Sequence, residues 1–194
     1  MKNKILLLFL CLFPVLAFTQ EQKPITHYQV LFSPEDKVAD ALISLIEKEK
    51  QSVKAAVYCL MHRGIAKALT DAHQRGVHVE VIIDPYSVKS RSPVKKMSEA
   101  KVPLFVWNPV AAITEKKTKK RRSLMHDKFC VLGDNLVWTG SFNFTAEATH
   151  ANQENVILLE NEEIASRYLK EFQRLKKEGC QSFIDYIATR GVNE

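Results

Sequence analysis

Residues 56–84 read AVYCLMHRGIAKALTDAHQRGVHVEVIID, and their periodicity changes twice. Val53 to Leu60, overlapping the start of this stretch, is a mostly apolar run of strand length. Ile65, Ala66, Ala68, Leu69 and Ala72 then follow the spacing of one helix face. Gly76 stands where a helix needs a left-handed residue to stop. Val77 to Ile83 alternates and is rich in β-branched residues, so the chain returns to strand. A strand, a helix and a strand in succession form the unit that builds parallel sheets, because parallel neighbours need a crossover.

The same alternation extends in both directions. Upstream, Tyr28 to Phe32 reads as a strand, and Ser33-Pro34-Glu35 reads as the start of a helix that continues through Val38, Ala41, Leu42, Leu45 and Ile46. Downstream, a short helix at Val94 to Ala100 precedes a strand at Leu104 to Trp107. Lys128 to Leu132 and Leu136 to Thr139 form two strands about a turn at Gly133-Asp134-Asn135. Asn155 to Leu159 is a further strand. Asn161 caps a helix whose apolar face is Ile164, Tyr168, Phe172 and Leu175, and which Gly179 ends. The expected fold is α/β in a single domain: a mixed β-sheet flanked by helices on both faces, the late hairpin supplying the antiparallel part.

With 194 residues, 46% of them hydrophobic, the chain can bury one sizeable core and is not a disordered tail. The formal charge of +6 owes much to Lys116, Lys117, Lys119, Lys120, Arg121 and Arg122. Such a run favours an anionic partner, whether nucleic acid, an anionic lipid surface or a phosphate-bearing substrate; its bland reading is a solvated loop.

Ahead of the domain, a basic start and an apolar run from Ile5 to Phe18 read as a signal peptide over residues 1–19, with the domain at 20–194. The run falls short of the ~20 residues that span a bilayer. A periplasmic or secreted protein is expected, an uncleaved membrane anchor being the alternative. Cys59, Cys130 and Cys180 remain after the leader, an odd set without CxxC spacing, so neither a disulfide framework nor a zinc site is expected.

The chemistry gathers in HDKFCVLGDNLVWTGSFNFT, residues 126–145. Side chains two apart on a strand share a face, so His126 projects with Lys128, and Ser141 with Asn143. If the two strands pair as a hairpin, these ends meet. An imidazole, an ammonium, a hydroxyl and an amide around one point suit a phosphodiester: Lys and Asn hold oxygens, and His attacks phosphorus or carries a proton. No Asp/Glu cluster with metal spacing lies nearby, so chemistry without metal or cofactor is expected.

His126-x-Lys128 followed by Gly140-Ser141-x-Asn143 resembles the HKD signature of the phospholipase D superfamily, above all its small single-motif members. LFSPED (31–36), residues 56–84 and NQENVILLE (152–160) resemble family segments in the same order. The resemblance implies that His126 forms a phosphohistidine, that Lys128 and Asn143 bind phosphate with support from Ser141, and that Glu154 orients a histidine. In the family pattern an acid follows the lysine after four residues. Here Gly133 takes that place and Asp134 comes one later, so Asp134 reads as a turn residue at least as readily as a catalytic one.

None of His27, His62, His73, His78 and His150 is followed two residues later by Lys, so the chain carries one motif. The two-step mechanism implied by the resemblance uses two histidines. A homodimer with a shared site supplies the second, because a two-fold contact brings a patch to itself. His62, after a strand end, and His150 are minor candidates. Three functions follow. The first is a low-specificity endonuclease acting through a phosphohistidine. The second is a phospholipase D hydrolysing a headgroup such as that of cardiolipin or phosphatidylcholine, using the mildly apolar 108–115 stretch at the lipid surface. The third is an inactive phosphate- or nucleic-acid-binding protein. The aromatic residues near the motif sit in apolar runs and few look exposed, which favours backbone binding over base reading.

Overall fold

The computed structural model describes residues 27–109 and 123–191. The expectations for the leader, for the basic run 116–122 and for most of 108–115 lie outside the described residues.

Eight strands form one sheet in the order β1-β7-β6-β5-β2-β3-β4-β8. They are β1 (His27–Ser33), β2 (Ser52–Val57), β3 (His78–Ile83), β4 (Leu104–Trp107), β5 (Lys128–Leu132), β6 (Leu136–Gly140), β7 (Glu154–Glu160) and β8 (Cys180–Ser182). The β2, β3 and β4 pairs are parallel, and every other neighbouring pair is antiparallel. The sheet is therefore mixed. The parallel part is where helices α2 (Arg63–Gln74) and α3 (Val94–Glu99) supply the crossovers.

Helices cover both faces. One core joins Val53, Ala55, Val57, Val81 and Trp138 of the sheet to α1 (Val38–Lys48), α2, α3 and α6 (Phe183–Gly191). The other lies under α5 (Glu162–Gly179), which buries Ala165, Phe172 and Leu175 against Ala56, Ile82, Phe129, Val131 and Val137. All five residues of β5 are buried because the strand is sandwiched between these cores, which is why it reads as an unbroken apolar run. Complete burial of Phe172 contributes roughly 1.5–3 kcal/mol. Asn161 Oδ1 accepts from Ile164 N at 2.9 Å and starts α5. At its other end Gly179 is indispensable: a Cβ there would sit 2.2 Å from the Trp107 ring.

Two local expectations change. Ser33 is the last residue of β1, paired with Glu154, not the cap of a helix. Strand pairing with β7 overrides the capping pattern, and α1 starts at Val38, behind a left-handed Lys37 with no side-chain cap. β2 stops at Val57, because Leu60 leaves the sheet to bridge Phe144. The short elements α4 (Ala146–His150), β8 and α6 carry too few periodic residues to be read locally and are set by packing.

Candidate active site

β5 begins, β6 ends and β7 begins at the same end of the sheet's strands, and the candidate residues gather there. His126 and Asp127 enter β5 and Lys128 is its first residue, paired with Val57. Tyr58 N donates to Asp127 O at 2.9 Å, which fixes the approach to the strand. Ser141 and Asn143 follow β6 on a loop whose intervening Phe142 and following Phe144 are fully buried. Gly140 makes the turn off the strand possible: a Cβ there would lie 2.0 Å from Asn155 O. Glu154 opens β7.

His126, Lys128, Ser141, Asn143 and Glu154 line one open cleft of about 570 Å³, together with Asp127 and Tyr168. Lys128 Nζ lies 3.0 Å from His126 Nδ1 and 2.5 Å from His126 O. Ser141 Oγ donates to Glu154 Oε2 at 2.5 Å and accepts from Asn155 N at 3.1 Å. Asn152 Nδ2 donates to the other carboxylate oxygen at 3.0 Å. Asn143 Oδ1 is buried and has no donor among the described residues.

The electrostatics follow from burial. Lys128 is 9% exposed, and desolvation lowers its pKa although Asp127 and Glu154 oppose the change. Asp127 reaches solvent at its edge, yet protein crowds its carboxyl. That desolvation, with the Glu171 charge next, pushes its pKa up. The site thus holds a cation, a bound carboxylate and an imidazole without neutralising them fully. This arrangement can grip an anion and exchange protons with it.

Asp134 stands apart from this group. It is exposed in the turn between β5 and β6, at the far end of β5 from Lys128, and does not line the cleft. The displaced acid therefore does not join the other candidates; a five-residue strand separates it from them. His62 is a helix cap: its Nδ1 accepts from Ile65 N at 3.2 Å. His150 is exposed at the end of α4.

Local reading missed Tyr58 and Asp84. The Tyr58 ring lies 4.6 Å from that of His126, tilted by 53°. Buried Asp84 accepts from Met125 N at 3.2 Å and from Tyr86 N at 2.9 Å, so it ties the end of β3 to the chain entering His126. Their positions at the ends of parallel strands were the available signal.

The profile of a family described as "Cardiolipin synthase, PLD-like domain" matches residues 42–176. This chain belongs to the phospholipase D superfamily. It is a phosphodiesterase of that superfamily, as its relatives' names agree. It is 30% identical to a mitochondrial cardiolipin hydrolase of Xenopus tropicalis over 91% of this chain and 76% of the relative. It is also 30% identical to a phospholipase D of Rickettsia conorii, over 75% of this chain and 67% of the relative. The structure is similar to that of Nuc, a phospholipase D family member from Salmonella typhimurium. The TM-score is 0.69 at 27% identity, covering 81% of this chain and 97% of Nuc. NucT from Helicobacter pylori shares the fold, with a TM-score of 0.71 at 24% identity.

Proposed function

We propose that this superfamily member cleaves nucleic-acid phosphodiester bonds without a metal, through a phosphohistidine at His126. The observation that carries the reading is the convergence of His126, Lys128, Ser141, Asn143 and Glu154 on one cleft. The imidazole attacks phosphorus, a P–N bond forms and the P–O bond to the leaving group breaks. His126 of the partner subunit protonates the departing oxygen. Water then attacks the phosphohistidine, giving its proton to that second imidazole, and P–N cleavage restores His126. Lys128 and Asn143 stabilise the charge on the non-bridging oxygens, and Glu154, held by Ser141 and Asn152, orients an imidazole. Asp134 has no part in these steps.

The need for a second histidine argues for a homodimer, and the surface beside the cleft supports it. Tyr28, Val30 and Phe32 of β1 are 66%, 45% and 54% exposed. They share the α5 face of the sheet with half-buried Ile157 and Leu159, and Phe32 pairs with Asn155, next to Glu154. A second copy seated on this apolar strip covers it and brings its own cleft close. Phe32→Lys is expected to give monomers by sedimentation and to lose turnover with them.

The basic run Lys116–Arg122, just before His126 in sequence, favours nucleic acid through phosphate contacts. The names of the curated relatives favour a second reading, hydrolysis of a phospholipid headgroup. The deciding experiment compares turnover of single-stranded DNA, duplex DNA, RNA and phospholipid vesicles in chelator, for wild type and His126→Ala. Cutting of nucleic acid that disappears in the variant supports the proposal; headgroup release with intact nucleic acid replaces it with the lipid reading. Binding without turnover returns the protein to a phosphate-gripping role. Export through residues 1–19 is part of the proposal, and the N-terminal sequence of protein recovered from cells tests it.

A further inference from the structure

The loop that follows β3 carries an exposed aromatic ring near the cleft. Tyr86 is 47% exposed and lies stacked on Tyr58, with ring centroids 5.1 Å apart and planes 13° from parallel. Tyr58 in turn packs against His126. Three rings thus run from solvent to the nucleophile.

This stack is held from beneath by buried polar groups. Asp84 accepts from Tyr86 N, and Ser87 Oγ donates to Tyr58 O at 3.1 Å while accepting from Leu60 N at 2.9 Å. Asp84 and Ser87 are themselves fully buried. A ring stacked on its neighbour, carried on a backbone braced in this way and left in water costs little further ordering when a flat ligand lands on it. Exposed Lys89 places Nζ 3.5 Å from the Tyr86 centroid. Past it, Arg63, Lys67, Arg91, Lys95 and Lys96 line a second groove of about 630 Å³.

We propose that Tyr86 seats an unpaired base next to the scissile phosphate, while Lys89 swings from the ring to an adjoining phosphate, so that the preferred substrate is single-stranded nucleic acid. The inference rests on the nucleic-acid reading above and narrows it. An exposed ammonium over a ring is worth about 2- to 5-fold in an equilibrium constant, whereas a base on an aromatic ring is worth roughly 5- to 150-fold. A base therefore displaces Lys89, whose charge gains a phosphate in exchange. A duplex offers no such base, because its faces are already stacked within the helix. A phospholipid headgroup has no π face to offer. Stacking reads no sequence, since every base has such a face, and the basic groove then takes up the backbone beyond.

The test compares kcat/KM on single-stranded DNA, on the same strand annealed to its complement, and on a deoxyribose-phosphate strand lacking all bases. Wild type should favour the base-bearing single strand over both others by roughly 5- to 150-fold. Tyr86→Ala and Tyr86→Leu should erase that preference, and Tyr86→Trp should keep it. Lys89→Ala should lessen the slope of log affinity against log salt on single-stranded DNA by about 0.7. Turnover of the abasic strand reports on folding in each variant. If wild type cuts nucleic acid and Tyr86→Ala keeps the full preference, the stacking seat is overturned and the nuclease stands. If wild type cuts only vesicles, both fall together.

Discussion

Lys128 Nζ stands 3.0 Å from His126 Nδ1. An ammonium only donates, so Nδ1 accepts in this pair, and a neutral His126 carries its proton on Nε2. A phosphate in the cleft competes for the same ammonium. Under the proposed mechanism Nζ turns to the phosphate, Nδ1 is released to take a proton and Nε2 becomes the free nucleophile. In that mechanism the lysine thus serves twice, as a resting brace and as a substrate clamp. Removing it, as in Lys128→Met, should lower kcat by about 10²–10³-fold, the usual effect of losing one preorganised donor. Arginine should not restore it, since the planar fork does not fit where a point charge sits. Single-turnover rates on saturating substrate measure this.

Ser141 and Glu154 form a second coupled pair. Ser141→Ala removes the donor to Glu154 Oε2 and the acceptor for Asn155 N together. Unfolding in urea should show a loss of about 1–3 kcal/mol, the cost of unpaired polar groups in a part-buried place. Glu154→Gln keeps the shape and can still accept from Ser141. It should therefore lower turnover much more than stability. An equal loss of both would make Glu154 a structural residue only.

His62 predicts a pH dependence. Burial, and secondarily the His150 charge, lower its pKa in the folded protein, and its Nδ1 must stay unprotonated to cap α2. The unfolded chain has the ordinary value of about 6.5. As pH falls below that value the unfolded state takes up a proton that the folded state resists, so stability declines until the lowered folded pKa is passed. Above about 6.5 both states are neutral and the cap is whole. His62→Asn, which caps without titrating, should flatten this part of the profile. His62→Ala should cost about 1 kcal/mol at neutral pH. Urea midpoints across the acid range decide between them.

Asp134 lies in the turn at the end of β5 remote from the cleft, exposed to solvent. Asp134→Ala should leave stability within about 0.5 kcal/mol and kcat/KM within about two-fold. A loss of several orders of magnitude would show that this turn communicates with the site along β5.

Local pattern was enough for the long elements and for much of the cleft. The α2 face, the alternation of β3 and the capped α5 each declare themselves because burial imposes a period on the residues that face the core. His126, Lys128, Ser141 and Asn143 were legible for a similar reason: two strands joined by a short turn bring their open ends together whatever surrounds them. Glu154 came from resemblance to relatives, not from spacing.

Other features depend on neighbours distant in sequence. Ser33 has the credentials of a helix cap, but pairing with Glu154 holds it in a strand. Asp134 is close to Lys128 in number and distant in space, because an extended strand carries the chain away. Tyr58 and Tyr86 come from the ends of two parallel strands and show no pattern of their own, yet the sheet order places Tyr58 beside His126 and Tyr86 on Tyr58. Short stretches encode the periodic elements and the ends of one hairpin, where the forces are local. The stack of rings, the absence of Asp134 from the cleft and the apolar strip on β1 arise from the packing of the whole sheet, which no short stretch encodes.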